Sequence, residues 1–231
     1  MQESWQKYAA EVYGTFVLVG VGTGAILAAQ VSGGGVAEIS LAFGLALMAG
    51  LFTVGRISGG HFNPAVSLAM FLDQRLSLID MIGYWVSQAL GAVIASLALA
   101  WIISKDAVAT TVTTVNSQFV SSFGGFVGEA ILTAVFVLAV LVISRSTSHV
   151  KFLGIGFTLA AVHFIGVPFT GSSVNPARSF APALVGGEFT DIWIYMVGPA
   201  VGGIVAWLLY KVIVTGDTDL RDDIEDVRDS F

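Results

Sequence analysis

Cysteine and charged residues are scarce in this chain of 231 residues. It contains no cysteine, which excludes disulfide bonds, thiolate metal sites and thiol chemistry. Only 11% of its residues are charged, whereas soluble domains carry roughly a quarter, and 55% are hydrophobic. It also has no nucleophile–base pair, metal-binding cluster or phosphate-binding loop. We therefore expect no enzyme activity, no cofactor, no bound metal and no nucleic-acid partner.

Three long stretches of the chain contain no charged residue. Residues 12–37, 81–104 and 192–210 carry no charged side chain. A helix needs about 20 apolar residues to cross a bilayer, so each stretch is long enough to form a span. The first stretch is too long for a signal peptide and lacks a basic leader, so we expect a retained span. The pattern predicts six spans, over residues 8–29, 39–54, 81–103, 123–143, 152–167 and 192–214.

The charges that are present are unevenly placed. Residues 217–231 contain seven acids and two arginines, and so account for −5 of the net charge of −6. We expect an acidic, solvated cytoplasmic tail over residues 215–231 and a single domain over residues 1–214. One side of the predicted spans collects the basic residues Lys7, Arg75, Arg145, Lys151 and Lys211. The other side has Lys105, apart from Arg178, which is assigned to the pore. Because the positive side is normally cytoplasmic, both termini are expected inside the cell.

Two copies of one short motif stand out. Asn63 and Asn175 are each followed by Pro-Ala and then by about ten mostly apolar residues, too few to cross a membrane. Asparagine favours the N-cap position of a helix, and proline suits the first helical position because its missing N–H would be unpaired there anyway. Each motif therefore predicts a loop that turns into a short helix, ending near residues 72 and 185.

The two halves of the chain, about 8–104 and 123–214, resemble each other. Each has three spans, a short helix between the second and third, and a glutamate in its first span, Glu11 or Glu129. An odd number of spans per repeat forces the halves into opposite orientations. One short helix then enters from each membrane face, and their N-termini meet near the bilayer centre.

Such a centre suits a small neutral solute that forms hydrogen bonds. The two helix N-termini are positive ends, so they repel cations. Asn63 and Asn175 can donate amide N–H groups at the centre. Backbone carbonyls of the two loops can form a ladder of acceptors leading to it: Gly59, Gly60, His61, Phe62, Gly171, Ser172 and Ser173.

Arg178 adds an asymmetric feature. A charge within the membrane is costly and by default functional. Arg178 lies three residues beyond Asn175, about 5 Å further along a helix, whereas the equivalent position of the first half is Val66. We therefore expect a single charged constriction, on the extracellular side of the centre.

Over residues 8–214, the paired motifs and the inverted repeat resemble the aquaporin (major intrinsic protein) family. The resemblance implies an all-α membrane protein of six transmembrane helices plus two re-entrant half-helices. It also implies a homotetramer in the cell membrane, with one pore in each subunit and water as the permeant. The positions of the family's selectivity filter correspond to Phe43, His163, Ser172 and Arg178. In the family, acids at the positions of Glu11 and Glu129 hold the backbone N–H groups of the pore loops.

The filter resembles that of the water-selective Z type of bacteria and archaea. Glycerol-conducting members have glycine in place of His163 and aspartate in place of Ser179. Ser172 departs from the threonine or cysteine that is frequent in water-type bacterial members, which should loosen the filter slightly. A channel for glycerol, ammonia or hydrogen peroxide is the nearest alternative. A coupled secondary transporter using Glu11 and Glu129 as proton carriers, and a structural adhesion protein, are alternatives of other classes.

Overall fold

The computed structural model describes residues 4–216, which form a bundle of α-helices. Six helices are long and apolar enough to cross a membrane: α1 (Ser4–Ser32), α2 (Val36–Ser58), α4 (Leu78–Ile102), α6 (Ser122–Ile143), α7 (Lys151–Thr170) and α9 (Ile192–Leu209). Helix α9 continues as a π-helical turn over Tyr210–Thr215. The three others are α3 (Pro64–Leu72), α5 (Lys105–Ala109) and α8 (Pro176–Gly186). The six spans and two half-helices confirm the predicted fold class; the predicted acidic tail lies almost entirely outside the described residues.

The halves pack by the same scheme. Helix α1 packs on α2 and α4, helix α6 packs on α7 and α9, and α2 meets α7 where the halves join. Glycines allow the closest approaches: a Cβ at Gly91 would stand 2.2 Å from the Val12 carbonyl oxygen, and one at Gly202 would stand 2.4 Å from that of Ala130. Each of these carbonyls belongs to the residue after the buried glutamate of its half. The repeat therefore extends to individual backbone contacts.

The two spans that lead into the asparagine loops end later than the sequence predicts. Helix α2 continues past residue 54 to Ser58, and α7 continues past residue 167 to Thr170 with Pro168 inside it. Each ends at a glycine in the left-handed region, Gly59 with φ +94° and Gly171 with φ +75°. Glycine adopts this conformation without steric penalty, so it ends the helix and starts the loop that precedes each asparagine.

The long polar connection over residues 105–122 is more ordered than expected. It contains α5, whose first turn is capped by the Ser104 hydroxyl accepting the Ala107 N–H at 3.0 Å. Beyond α5, the Thr113 side chain is buried and donates to Ser179 Oγ at 2.8 Å. This connection therefore reaches from the surface to the second half-helix.

The distribution of side chains fits a membrane. Large apolar side chains face outward, including Trp101 at 88% exposure, Ile165 at 63% and Ile131 at 58%, while glutamates, asparagines and an arginine are buried inside. An exposed apolar surface of this extent is unfavourable in water and favourable in hydrocarbon. The chain is a multi-pass membrane protein with a polar interior.

Candidate functional site

Each half-helix begins at an asparagine that caps it. Asn63 Oδ1 accepts the Ala65 N–H at 2.9 Å. Asn175 Oδ1 accepts the Ala177 N–H at 3.0 Å and the Arg178 N–H at 3.3 Å. Because the oxygens serve as caps, the amide nitrogens point away from their own helices. The capping predicted from the motif is confirmed.

The asparagine amides join the two half-helices at their tips. Asn63 Nδ2 donates to the Val174 carbonyl at 2.7 Å, and Asn175 Nδ2 donates to the Phe62 carbonyl at 2.8 Å. Each loop thus supplies the acceptor for the opposite asparagine. An amide nitrogen has two N–H groups, so each asparagine keeps a second donor beyond this bond.

The carboxylate of Glu11 organises the first loop from inside the bundle. Its oxygens accept the backbone N–H of His61 at 2.9 Å and of Phe62 at 2.7 Å. They also accept the Ser58 hydroxyl at 2.6 Å and the Gln88 amide at 2.7 Å. The carboxylate is fully buried, and four donors satisfy it.

Glu129 does the same for the second loop. It accepts the backbone N–H of Ser173 at 2.9 Å and of Val174 at 2.8 Å, and the Thr170 hydroxyl at 2.7 Å. It too is fully buried. These contacts match the loop-holding role that the resemblance implies for both acids.

The residue before each asparagine has a strained backbone. Phe62 has φ +49° and Val174 has φ +44°, in the left-handed region that non-glycine residues rarely adopt. Such a conformation costs of order 1–3 kcal/mol per residue. In both residues the N–H is held by a buried glutamate and the C=O by the opposite asparagine. These bonds offset the strain and turn each carbonyl towards its partner.

Three of the four predicted filter residues lie together. The rings of Phe43 and His163 have centroids 4.5 Å apart, and the Arg178 guanidinium lies 5.1 Å from the Phe43 ring centroid. His163 Nδ1 donates to the Leu159 carbonyl at 2.9 Å, and Arg178 Nη2 donates to the Gly171 carbonyl at 3.3 Å. These bonds fix both polar groups within the bundle.

The same residues carry polar atoms without a protein partner. Within residues 4–216, His163 Nε2 and the Nε and Nη1 atoms of Arg178 have no hydrogen-bond partner, although both side chains are at most 2% exposed. Buried polar groups are nearly always hydrogen-bonded, to protein or to water. With Nδ1 as the donor, Nε2 of neutral His163 is an acceptor. The constriction therefore offers one acceptor and two donor groups to a small molecule.

Ser172 is placed differently. It is fully buried, and its hydroxyl lies 2.7 Å from where a Cβ at Gly166 of α7 would stand. It is not among the residues lining the narrow cavity between the half-helices. Its part in the filter stays a prediction.

Gly22 is a residue of the constriction that the sequence did not reveal. A Cβ at this position of α1 would lie 2.2 Å from an edge carbon of the Phe43 ring. The absence of a side chain at Gly22 therefore lets Phe43 occupy its position. A glycine in an apolar span carries no signal of such a role.

Two neighbouring cavities lie within the bundle. The narrow cavity has about 10 Å³ of space for the centre of a water-sized sphere, close to the roughly 10–15 Å³ that one water molecule needs. It is lined by Phe43, His163 and Arg178 together with Asn63 and Asn175. The second cavity, here called the wide vestibule, measures about 590 Å³ and opens around residues 55–60 and 144–152. Both are lined by Leu47, His61 and Phe136, which mark their junction.

The predicted ladder of carbonyl acceptors is distributed over both cavities. Residues of the ladder that line a cavity are Gly59, Gly60, His61 and Ser173. The Phe62 carbonyl is already bonded to Asn175, and the Gly171 carbonyl is bonded to Arg178. Part of the predicted ladder therefore accepts hydrogen bonds from the protein rather than from a permeant.

The sequence alone does not show the contacts of several polar residues that support the pore loops. Gln88 of α4 bonds both Glu11 and Ser67, at 2.7 and 2.9 Å, and Ser67 also contacts His61 Nδ1 at 3.0 Å. In the second half, Ser179 takes the place of Ser67 and donates to Ser173 Oγ at 2.7 Å. The one available signal was a buried polar side chain within an apolar span, which the membrane penalises unless it has a partner.

This arrangement defines a membrane channel, in which paired half-helices form the centre of a narrow pore. The chain belongs to the major intrinsic protein family, whose model matches residues 1–210. Proteins of this family are channels rather than enzymes.

Individual relatives carry two kinds of name. The chain is 39% identical to Aquaporin Z of Brucella melitensis, over 91% of this chain and 99% of the relative. It is 38% identical to glycerol uptake facilitator protein-like 6 of Lactiplantibacillus plantarum, over 92% of this chain and 100% of the relative. In fold it is similar to the aquaglyceroporin of Plasmodium falciparum, with a TM-score of 0.84, 24% identity, and coverage of 93% of this chain and 98% of the other.

Proposed function

We propose that the protein is a passive water channel that excludes glycerol, ions and protons. The observation that carries this proposal is the constriction of Phe43, His163 and Arg178. It combines two stacked rings with donors and an acceptor that lack protein partners. The adjoining cavity has room for about one water molecule at a time. A water molecule can both accept from Arg178 and donate to His163 within that space.

Overall similarity does not separate water from glycerol as the permeant. The relatives named after water and glycerol transport are 39% and 38% identical to this chain, so their names carry equal weight. The local constriction is more informative, because selectivity in such pores depends on width and on the groups that line it. An imidazole at position 163, in contact with Phe43, leaves less room than a small residue would. The constriction therefore favours water.

The centre of the pore accounts for ion and proton exclusion. Both half-helices direct their positive N-terminal ends towards Asn63 and Asn175. Each asparagine retains a second amide N–H, so a water at the centre accepts from donors there. A proton or metal cation meets two helix dipoles and, further along, the positive charge of Arg178. Exclusion by such groups is a general feature of water-selective pores.

A proton-coupled transporter is disfavoured by the positions of the two acids. Glu11 and Glu129 line neither the narrow cavity nor the wide vestibule. Their oxygens accept four and three hydrogen bonds from the loops and neighbouring helices. A proton carrier must exchange protons with the transport path, whereas these carboxylates are enclosed. Their geometry supports a loop-holding role.

The proposal extends to the setting of the channel. Residues 1–214 constitute one channel domain in the cell membrane, with both termini in the cytoplasm, because the basic loop residues lie on that side. The wide vestibule, lined by Lys7, Arg75 and Lys151, then opens to the cytoplasm. Four copies form a homotetramer with one pore in each, as the family resemblance implies.

The test is osmotic swelling and shrinking of proteoliposomes in stopped-flow light scattering. We expect fast water flux with a low activation energy, and glycerol flux equal to that of protein-free vesicles. Ammonia and hydrogen peroxide are measured in the same vesicles to define the range of permeants. Glycerol flux as rapid as water flux would contradict the proposal.

A further inference from the structure

In the first half of the chain, a transmembrane helix holds the serine that follows the pore asparagine. Ser67 lies four residues beyond Asn63. Its hydroxyl accepts the Gln88 amide at 2.9 Å and contacts His61 Nδ1 at 3.0 Å. Gln88 belongs to α4 and lies three residues before Gly91, the point at which α4 packs closely on α1. A side chain of a membrane span therefore fixes this serine.

The second half lacks an equivalent of this glutamine. Three residues before Gly202, the matching position of α9 is Pro199, which has neither an N–H group nor a polar side chain. Ser179, four residues beyond the second asparagine, instead accepts the hydroxyl of Thr113 at 2.8 Å. Thr113 is buried and belongs to the connection over residues 105–122, outside the transmembrane helices. The donor to this serine thus comes from a connecting segment rather than from a membrane span.

The hydroxyl contacts continue from Ser179 into the second pore loop. Ser179 Oγ donates to Ser173 Oγ at 2.7 Å, and Ser173 Oγ donates to the Asn175 carbonyl at 3.0 Å. This chain of residues is here called the hydroxyl relay: Thr113, Ser179, Ser173 and Asn175. Each hydroxyl has a single hydrogen, so the donor at the outer end sets the direction in which the serine hydrogens point. The relay therefore joins the connection to the pore asparagine.

The same connection packs against the groups that fix Arg178. Arg178 Nη2 donates to the Gly171 carbonyl at 3.3 Å, and a Cβ at Gly171 would stand 3.2 Å from the methyl carbon of Thr113. Asn116 donates its N–H to the Phe169 carbonyl at 2.8 Å, in the last turn of α7, where carbonyls have no intrahelical partner. The connection thus contacts the half-helix that carries the arginine and also the residue whose carbonyl accepts from it.

We propose that the connection over residues 105–122 positions the constriction, and that Thr113 is its positioning residue, acting through the hydroxyl relay. The net contribution of one buried hydrogen bond corresponds to roughly a 2- to 12-fold change in an equilibrium. Loss of the Thr113 hydroxyl therefore raises the population of the released second pore loop by a factor in that range. A released loop no longer fixes Arg178, so the solute selectivity of the pore relaxes.

The first test is hydrogen–deuterium exchange of the full-length chain in lipid vesicles, measured by mass spectrometry. The N–H groups of Ser173 and Val174 are held by Glu129 and exchange only when the second loop opens. Thr113→Val keeps the shape of the side chain and should speed exchange of this loop by roughly 2- to 12-fold. The first pore loop, over residues 59–62, should exchange as in the wild type. Unchanged exchange of the second loop, or an equal rise in both loops, would overturn the proposal.

Matched variants separate the hydroxyl from other changes. Thr113→Ser keeps a hydroxyl and should exchange at the wild-type rate. Thr111→Val removes another buried hydroxyl of the same connection, one that donates to the Val108 carbonyl, and should leave the second loop unchanged. Ser179→Ala should speed exchange, and adding Thr113→Val to it should produce no further increase, because both act through the relay. Fast exchange in Thr113→Ser or Thr111→Val, or additive effects in the double variant, would contradict the relay.

The effect on selectivity rests on the proposed function, whereas the positioning of the loop does not. In stopped-flow light scattering, the ratio of glycerol to water permeability should rise about twofold or more in Thr113→Val. It should keep its wild-type value in Thr113→Ser and Thr111→Val. An unchanged ratio alongside faster exchange would refute the link to selectivity. Glycerol flux through the wild type would contradict the proposed function, and the exchange rates would still decide whether the relay holds the loop.

Discussion

Glu129→Gln is the substitution that tests the support of the pore most sharply. The change keeps the size of the side chain but replaces one carboxylate oxygen by an NH₂ group. Three donors converge on Glu129: the backbone N–H groups of Ser173 and Val174 and the hydroxyl of Thr170. The single oxygen of an amide faces the donors of one side only, so at least one buried donor is left facing another donor.

The cost follows from these contacts. An unsatisfied buried donor costs about 1–3 kcal/mol, and the bonds that remain lose the strength of a charged acceptor. We expect a total of about 3 kcal/mol, comparable with the strain stored at Val174 in its left-handed conformation. The loop then relaxes, and the bond from Asn63 to the Val174 carbonyl is lost. Since each 1.4 kcal/mol is tenfold in an equilibrium, the conducting loop conformation becomes a minority.

Two measurements check this expectation. Water permeability per channel should fall about tenfold or more, and the melting temperature in detergent should fall by roughly 6–12 °C. Glu188→Gln is the matched control, because Glu188 is exposed and bonds the nearby Thr190 rather than a pore loop. If Glu129→Gln conducts water and melts like the wild type, Glu129 does not hold the loop. Loss of a proton flux with water flux unchanged would favour the transporter alternative instead.

Three further substitutions test other contacts. Gly22→Ala places a Cβ 2.2 Å from the Phe43 ring and should lower water permeability severalfold in stopped-flow scattering. The control is Gly20→Ala on the same helix, whose Cβ would lie 3.6 Å from Ala95 and should leave permeability unchanged. Equal permeability of the two variants would refute the packing argument. Asn63→Ala removes a helix cap and a hydrogen bond between the half-helices, and should reduce the free energy of unfolding by about 2 kcal/mol. The melting temperature should then fall by roughly 4–8 °C. An unchanged melting curve would show that these bonds do not stabilise the protein. Gly91→Ala should prevent close packing of α4 on α1 and reduce the yield of folded protein, with Gly128→Ala, in open space, as the control that should leave it intact.

The fold could be predicted because the bilayer limits the possibilities. A membrane span must be a helix of about 20 apolar residues, so uncharged stretches alone locate α1, α4 and α9. The half-helices were equally accessible, since an asparagine cap and a proline at the first position act locally. The helix ends at Gly59 and Gly171 were missed by several residues. A glycine ends a helix only where its backbone takes the left-handed conformation, which the sequence does not show. Pro168 suggests an earlier end to α7, but a membrane helix can accommodate a proline.

The site could be predicted only in part from local patterns. Arg178 is located by its charge within an apolar segment, whereas Phe43 and His163 are located only through the resemblance to the family. No local pattern would have paired Phe43 with His163. The contacts of Gln88 and Thr113 depend on how α4 is rotated and on where a polar connection folds. Both depend on packing between segments far apart in the chain, on which local capping and hydropathy carry no information.

The most direct test of size selection is glycerol flux through the wild type and through His163→Gly. Removing the imidazole takes away the ring that contacts Phe43 at 4.5 Å and widens the constriction. Stopped-flow scattering under a glycerol gradient should show no channel-mediated flux in the wild type and clear flux in the variant, with water flux high in both. Glycerol flux through the wild type, or its absence from a folded, water-conducting His163→Gly protein, would contradict the claim that this ring selects water.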